Sequence, residues 1–453
     1  MNPSIFREYD IRGVAARDLT DTLAFDIGRA MATRLGSEGG RRICVGRDVR
    51  ESSPRLQQQV CDGVRAGGLD VLDVGIVPTP VLYYSIVANR TDGGVMITGS
   101  HNPIEYNGFK LCRGTSPIWG AEIRTLETMM RAGDFAAGKG GYEQREVLED
   151  YRAMVRDRLT SERRLSIVVD AGNGTGGLIG PEVLADQGHE VETLYCEPDG
   201  RFPNHLPDPT VPEYMRDLAA RVCEIGADLG VGYDGDADRI GLIDEQGRMI
   251  FGDQILALFA RELLARHPGS RILFDVKCSQ GLEEDIRTHG GEPIMWKTGH
   301  SLLKAKMREE EIPLAGEMSG HMFFQEGYFG FDDAIYGSAR MAAYLSRLTE
   351  PLSVQIDRIP FYVNSPEIRV SCADEAKFRI VEEVSEHFQR DHEVITIDGA
   401  RVLFGEGWGL LRASNTQPVL VLRFEAQTPE ALAAIEGTFR EILARYPEVT
   451  WTA

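Results

Sequence analysis

An α/β fold, built as three similar α/β units in tandem followed by a small α+β domain, is the class this sequence predicts. Three observations lead there. The 453 residues are too many for one hydrophobic core, so several domains are expected. A strand, a polar loop and an amphipathic helix recur three times at intervals of roughly a hundred residues, in the order of α/β units. The last stretch changes character, to short strands with Gly-rich turns between two helices, which favours antiparallel pairing.

The first unit carries "RRICVGRDVRESSPRLQQQVCDGV", with a strand over 42–47. A helix follows, with Ser53 read as its N-cap and Pro54 at the first helical position. Leu56, Val60 and Val64, spaced by four, form its apolar face. "LSIVVDAGNGTGGLIGPEVLADQG" repeats the pattern from 165, and "RILFDVKCSQGLEEDIRTHGG" from 271. The final part reads as the helix "ADEAKFRIVEEVSEHF", the strands "EVITIDG", "ARVLFGEG", "WGLLRASN" and "PVLVLRFEA", and the helix "PEALAAIEGTFREILARY". Linkers near 146, 252 and 358 divide the chain into 1–145, 146–252, 253–358 and 359–453.

Composition narrows the function. A hydrophobic share of 42% and a charged share of 26% are ordinary for a globular protein. No stretch approaches bilayer length and the start "MNPSIFREYDIRG" lacks an apolar signal core, so a cytoplasmic location is expected. The cysteines at 44, 61, 112, 196, 223, 278 and 372 are odd in number and include no C-x-x-C, which argues against a disulfide framework or a zinc site. They read as buried or idle thiols. A net charge of −21 opposes nucleic acid and anionic membranes as partners. It also opposes a phosphorylated substrate, unless that substrate meets a local cationic pocket or a metal ion.

Four loops carry the chemistry. In "GGVMITGSHNPIEYNGFKL", residues 93–111, a strand runs into a hairpin-like loop with Ser100, His101, Asn102 and Pro103, and the outgoing strand contains Lys110. In "LGVGYDGDADRIGLIDEQG", Asp234, Asp236 and Asp238 alternate in a short turn and can aim three carboxylates at one point. All-oxygen ligands select Mg²⁺ or Ca²⁺ over zinc. An EF-hand would use Glu245 as its twelfth residue, but its sixth is Arg239 where that loop needs Gly, and both flanks read as strands. Arg239 instead suits phosphate oxygens, which points to phosphoryl transfer. With an acidic metal turn present, the lone Ser100 makes sense as an exposed phosphate carrier whose oxygens complete the metal site, with Lys110 near the same phosphate. As an acyl-transfer nucleophile, Ser100 lacks a G-x-S-x-G elbow and an identifiable acid or base partner.

In "LAGEMSGHMFFQEGYFGFDDA", Glu317 and Ser319 can grip neighbouring sugar hydroxyls and His321 can exchange a proton. In "WGLLRASNTQPVLVLRFEA", Arg412, Ser414, Asn415 and Thr416 describe a phosphate cradle. "REYDIRG" adds Tyr9 and Arg12, "DVKCSQG" adds Lys277, and "WKTGHS" adds His300. Gly172, Gly174 and Gly177 satisfy G-x-G-x-x-G, with Glu197 as a possible ribose acid. Asp170 at the loop mouth would repel a pyrophosphate, so a tight structural turn is the better reading.

"TGSHNPIEYNGFK", "DGDADR", "GEMSGH" and "RASNTQP", in that order over the whole chain, resemble the motifs of the α-D-phosphohexomutases. "GEMSGH" and "FREYDIRG" look most like the bacterial phosphomannomutase/phosphoglucomutase branch, with the phosphoglucosamine mutases as runner-up. The resemblance implies four domains around a central cleft, and a phosphorylated Ser100 holding Mg²⁺ together with Asp234, Asp236 and Asp238. It implies that Glu317 and Ser319 contact the sugar, that Arg412, Ser414, Asn415 and Thr416 hold the phosphate not reacting, and that Tyr9, Arg12, Lys277 and His300 line the rest. Gln417 stands where many relatives have an acid, which leaves the donors intact. The implied reaction interconverts hexose 1-phosphate and hexose 6-phosphate, for mannose, glucose or both, through a hexose 1,6-bisphosphate that also serves as activator. Lys110 and Arg239 neutralise charge, His321 and Lys110 are the proton-transfer candidates, and His101 belongs to the same catalytic set. A monomer or weak oligomer is expected. A metal-dependent phosphatase would need no cradle in the fourth domain, and a sugar-phosphate binding protein would need neither Ser100 nor the acidic turn.

Overall fold

The structure is a computed structural model that describes residues 2–414 and 417–451. Among these residues the chain forms four sheets, one after another along the sequence. The first three share a plan. A central strand (Arg42–Arg47, Ser166–Asp170 or Arg271–Asp275) pairs in parallel on both sides. Its later partner (Gly93–Ile97, Leu229–Tyr233 or Leu314–Gly316) then turns back into an antiparallel strand (Tyr106–Arg113, Ile240–Asp244 or Met322–Phe324). Each of these hairpin turns is one of the chemistry-bearing loops. The repetition seen in sequence is therefore a repetition of topology, and it delivers the three loops from equivalent places.

Helices cover the parallel strands because strands buried on both faces need apolar partners on both. In the first unit Asp21–Gly36 and Ser53–Ala66 close one face with Ile27, Met31, Val60 and Val64. Thr79–Ala88 closes the other, and its Val81 and Tyr83 join a core that continues through Val169, Leu256, Phe274 and Met322. The first three units thus bury apolar surface against one another, which fixes the loops in a common frame.

The fourth sheet is antiparallel, in the spatial order Glu393–Ile395, Ala400–Phe404, Gly407–Ala413, Val419–Ala426, Ile368–Cys372, Val449–Thr450. Asp374–Phe388 and Pro429–Leu443 pack on it around Ile380, Val384, Leu422 and Phe439. Val276 meets Trp408 and Leu410 at the joint with the third unit. There Arg401 donates to the carbonyls of Val276 (2.7 Å) and Cys278 (2.9 Å).

Two local expectations change. The helix begins at Ser53, with Ser52 at the N-cap. The Ser53 hydroxyl is diverted: it donates to Asp48 Oδ1 at 2.5 Å and accepts from Asn107 Nδ2 at 2.9 Å. The seven cysteines are free, but Cys223 is exposed rather than buried. No described helix is long and apolar enough to cross a membrane.

Candidate active site

Ser100 sits in the turn after Gly93–Ile97 with φ of +47°, a left-handed conformation that an L residue adopts only when its surroundings hold it there. Its hydroxyl donates to Asp234 Oδ2 at 2.6 Å and lies 3.1 Å from His101 Nδ1. The sequence reading has this hydroxyl exposed, whereas it is only 3% exposed. The second unit's acidic turn lies over it, which a reading along one strand does not reveal. Burial, with Arg239 and Arg12 nearby, pushes the His101 imidazole well below its usual range, so it stands neutral beside the hydroxyl.

Asp234, Asp236 and Asp238 are fully buried in the turn between Leu229–Tyr233 and Ile240–Asp244. The Lys110 ammonium, from the first unit, reaches Asp236 at 2.7 Å and also contacts Asp238. One cation does not neutralise three carboxylates. Burial, reinforced by Asp238 and Asp236, drives the Asp234 carboxyl well up; at Asp236 burial pushes the same way, but Lys110 with the Thr79 and Ser100 hydroxyls together bring that carboxyl down. Asp236 Oδ1 and Asp238 Oδ1 are buried without a hydrogen-bond partner. Unsatisfied carboxylate oxygens facing one point are what a hard divalent cation would satisfy, so the residues fit a metal ion. Glu245 is turned away, accepting from the Ser353 backbone at 3.1 Å, so the EF-hand reading has no geometric support.

The glycine-rich decoy proves to be a buttress. Asp170 accepts from Gly172 N at 2.8 Å and lies 3.1 Å from His205 Nε2. A Cβ on Gly174 would come within 2.7 Å of the Gly235 carbonyl, to which Thr175 N donates at 3.0 Å. The turn supports the acidic loop from behind.

Arg239 leaves the acidic turn toward the third unit, where its Nε donates to His321 Nε2 at 3.0 Å. His321 Nδ1 lies 2.9 Å from Asp332 Oδ2, and Lys304 donates to Asp332 Oδ1 at 2.8 Å. His300 stacks on His321 with ring centroids 5.4 Å apart, and Tyr9 meets His300 edge-on at 6.2 Å. Burial and then Lys304 push the His300 imidazole well down. Glu317 accepts from Gly299 N at 2.5 Å and from Ser319 Oγ at 3.2 Å, and burial raises its carboxyl. Glu317, Ser319 and His321 thus share one hairpin turn.

The Tyr9 hydroxyl donates to the Thr298 carbonyl at 3.0 Å, and Thr298 N donates to Asp398 Oδ2 at 3.1 Å. Asp398 also pairs with Arg412 at 2.9 Å; burial would lower that guanidinium, but Asp398 with Tyr9 and Asp275 together raise it. A chain of contacts therefore runs from Ser100 through Asp234, Arg239, His321, His300, Tyr9, Thr298 and Asp398 to Arg412, and all four units contribute. Ser414 opens the last hairpin turn, its Oγ accepting from Gln417 N at 3.1 Å. The expectations for Asn415 and Thr416 lie outside the described residues. Arg12 pairs with Asp10 at 2.6 Å. Lys277 pairs with Glu367 of the fourth unit at 3.3 Å.

Sequence reasoning passed over Asp48, Arg50, Thr79, Lys304, Asp332 and Asp398. Asp48 and Asp332 leave a trace, as charged residues directly after a strand or in a turn rich in glycine and aromatics. The others act through partners far off in the chain.

Comparisons with known proteins agree in extent with this geometry. Four family models cover successive parts of the chain. Three are the alpha/beta/alpha domains I, II and III of phosphoglucomutase/phosphomannomutase, over residues 3–137, 148–247 and 251–362. The fourth is the C-terminal domain of the same family, over residues 367–442. A phosphomannomutase/phosphoglucomutase of Pseudomonas aeruginosa is 46% identical over 441 residues, 97% of this chain and 95% of its own length. A phosphoglucomutase of Neisseria gonorrhoeae is 42% identical over 452 residues, 99% of this chain and 98% of its own. The crystal structure of a phosphoglucomutase/phosphomannomutase family protein from Burkholderia thailandensis matches with a TM-score of 0.93 at 41% identity, covering 100% of this chain and 99% of its own.

Proposed function

Since this chain belongs to the phosphoglucomutase/phosphomannomutase family and is a hexose-phosphate mutase, we propose that Ser100 carries the phosphoryl group it transfers. The observation that carries this reading is the 2.6 Å contact of the Ser100 hydroxyl with Asp234, which sets the acceptor oxygen against the acidic turn of another unit. Phosphorylated Ser100 gives its phosphoryl group to the free hydroxyl of a hexose 1-phosphate. The hexose 1,6-bisphosphate so formed turns over in the site, and Ser100 takes back the other phosphate. A trace of the bisphosphate primes the serine.

Asp234, Asp236 and Asp238 would hold Mg²⁺ beside phosphorylated Ser100, and the ion would supply positive charge to the transferring group. Lys110, buried, and Arg239, half-buried, add fixed cations around the same oxygens, where partial exclusion of water lets such charges act strongly. They also answer the opposition of an overall charge of −21 to a phosphorylated substrate. Between the two transfers, when Ser100 bears a free hydroxyl, Asp234 accepts its hydrogen, and His101 stands next to it. His321 exchanges the proton of the sugar hydroxyl once Arg239 turns from its Nε2 to a phosphate, with Lys110 as the second candidate. Glu317 and Ser319 grip the ring hydroxyls in both orientations of the intermediate. Arg412, Ser414, Asn415 and Thr416 hold the distal phosphate, and Tyr9, Arg12, Lys277 and His300 line the remainder. The working units are 1–145, 146–252, 253–358 and 359–453, in a cytoplasmic monomer or weak oligomer.

A ³¹P NMR time course tests this. Mannose 1-phosphate and glucose 1-phosphate, each supplied with Mg²⁺ and a trace of hexose 1,6-bisphosphate, are expected to give the 6-phosphates without free phosphate. Ser100→Ala should abolish the conversion. Full activity in that variant would remove the serine from its role, and release of free phosphate would point to a hydrolase.

A further inference from the structure

We infer that Arg50 is the positioning residue of the phosphoryl carrier: its guanidinium fixes the backbone around Ser100 so that the hydroxyl faces the acidic turn. Arg50 is 1% exposed, and it meets Ser100 through the backbone carbonyl rather than the reacting hydroxyl. Its Nη2 donates to the carbonyls of Ser100 (2.8 Å) and Asn102 (2.6 Å), and its Nη1 to those of Pro103 (2.8 Å) and Tyr106 (3.0 Å). All four acceptors belong to the loop or its exit. Asp48, 3.4 Å from the Arg50 Nε, grips the same loop from the donor side, accepting from Gly99 N at 3.0 Å. The pair therefore reads both polarities of one turn.

Two close approaches show that the space was built around this side chain. A Cβ on Gly99 would lie 2.3 Å from Arg50 Nε, so the loop passes where only glycine fits. On the far side Phe202 of the second unit covers the guanidinium at 5.1 Å, and a Cβ on Gly200 would meet the Val49 carbonyl at 2.3 Å. The guanidinium itself is almost fully buried, and the Ser100 carbonyl it serves lies in a buried contact, so losing the fork leaves that acceptor without a donor. Only a planar fork with five N–H groups can serve four carbonyls that diverge; an ammonium offers one point of attachment. Ser100 needs such a clamp because its φ of +47° is a conformation the bare chain disfavours. The apolar core of this unit is supplied by other residues, so the clamp acts on the turn more than on the fold.

The inference rests on Ser100 being the carrier, and the test separates the two. With mannose 1-phosphate as substrate, Arg50→Lys should lower kcat about 100-fold, the cost of misplacing a reacting atom by about 1 Å. KM should stay within about 2-fold, since the substrate-binding loops are untouched. Gly99→Ala, which pushes the guanidinium aside without removing it, should show the same split, and it serves if Arg50 variants fold poorly. Methylguanidinium, but not methylammonium, should restore part of the turnover of Arg50→Ala. Wild-type kcat in Arg50→Lys and Gly99→Ala would overturn the inference, as would a loss shared by KM with no rescue. Ser100→Ala run in parallel is expected to be inactive; activity there would strike at the carrier reading instead.

Discussion

Asp332 and Asp333 are consecutive, both are fully buried, and their surroundings are opposite. Asp332 faces an ammonium and two imidazoles: Lys304 at 2.8 Å, His321 at 2.9 Å and His300 at 3.9 Å. Burial alone would raise its carboxyl, but Lys304 and then His321 hold it well below the usual range. Asp333 faces neutral donors, the hydroxyls of Tyr328 (2.5 Å) and Tyr151 (2.9 Å) and the backbone N–H of Tyr336 (2.8 Å). There burial dominates and pushes the carboxyl up to about 7. Successive residues of extended backbone point to opposite sides, so one side chain joins the site and the other the interior. Burial therefore does not identify a functional carboxylate. The sign of what surrounds it does, together with any oxygen left unsatisfied.

The acidic turn extends that contrast to its limit, and breaking it should have the largest effect. Asp236→Asn keeps size and the Thr79 contact but removes a charge that Lys110 meets and that the proposed metal ion would share. Turnover of hexose 1-phosphate should fall about 10³-fold, as for loss of a preorganised electrostatic partner. The rise in melting temperature on adding Mg²⁺ should vanish, because an ion that no longer binds the fold cannot stabilise it. Near-normal activity with an intact Mg²⁺ shift would place the metal elsewhere.

Asp332→Asn comes next. It leaves the Lys304 ammonium buried without its counter-charge and takes from His321 the nearer of two carboxylates, Asp238 staying at 3.7 Å. Stability should drop by about 3 kcal/mol, the usual cost of breaking a buried pair, and kcat by about 10²-fold. The double variant with Lys304→Met sharpens the comparison. It should recover most of the stability and none of the activity, because the pair matters to the fold and, in the proposed mechanism, His321 to the chemistry. Recovery of both would mean that Asp332 only balances Lys304.

The legible part of this site is the part written in consecutive residues. Ser100, the alternating aspartates, Glu317 with Ser319 and His321, and Arg412 with Ser414 each lie in one short turn, and turns of that kind announce themselves by glycine and spacing. The repeated unit was legible for the same reason, since each helix and strand carries its own periodicity. Partners made through space were not. Arg50 lies 50 positions from the Ser100 carbonyl it binds, and Tyr151 lies 182 from Asp333. Nothing local distinguishes Asp332 from Asp333, or tells Ser53 that Asp48 will take its hydroxyl and leave the cap to Ser52.

Asp333→Asn should have the smallest effect on activity, within about 2-fold, since the side chain faces away from the reacting groups. Its effect on stability carries a pH signature. In the unfolded chain an aspartyl carboxyl titrates near 4, and in the fold this one titrates at about 7. Between those values the folded protein holds a proton that the unfolded chain has lost, so stability falls as pH rises through the window. At up to about 1.4 kcal/mol per pH unit, the step from pH 5 to 7 removes roughly 2 kcal/mol, and the last few tenths are lost by about pH 8. Asparagine cannot ionise, yet its amide oxygen can still accept from Tyr336 N and one hydroxyl. The variant should therefore gain on the native protein by about 2–3 kcal/mol more at pH 8 than at pH 5, read from melts at the two pH values. A constant difference would mean that Asp333 does not titrate in the fold. A tenfold loss of turnover would move it to the same side as Asp332 and dissolve the contrast between the two.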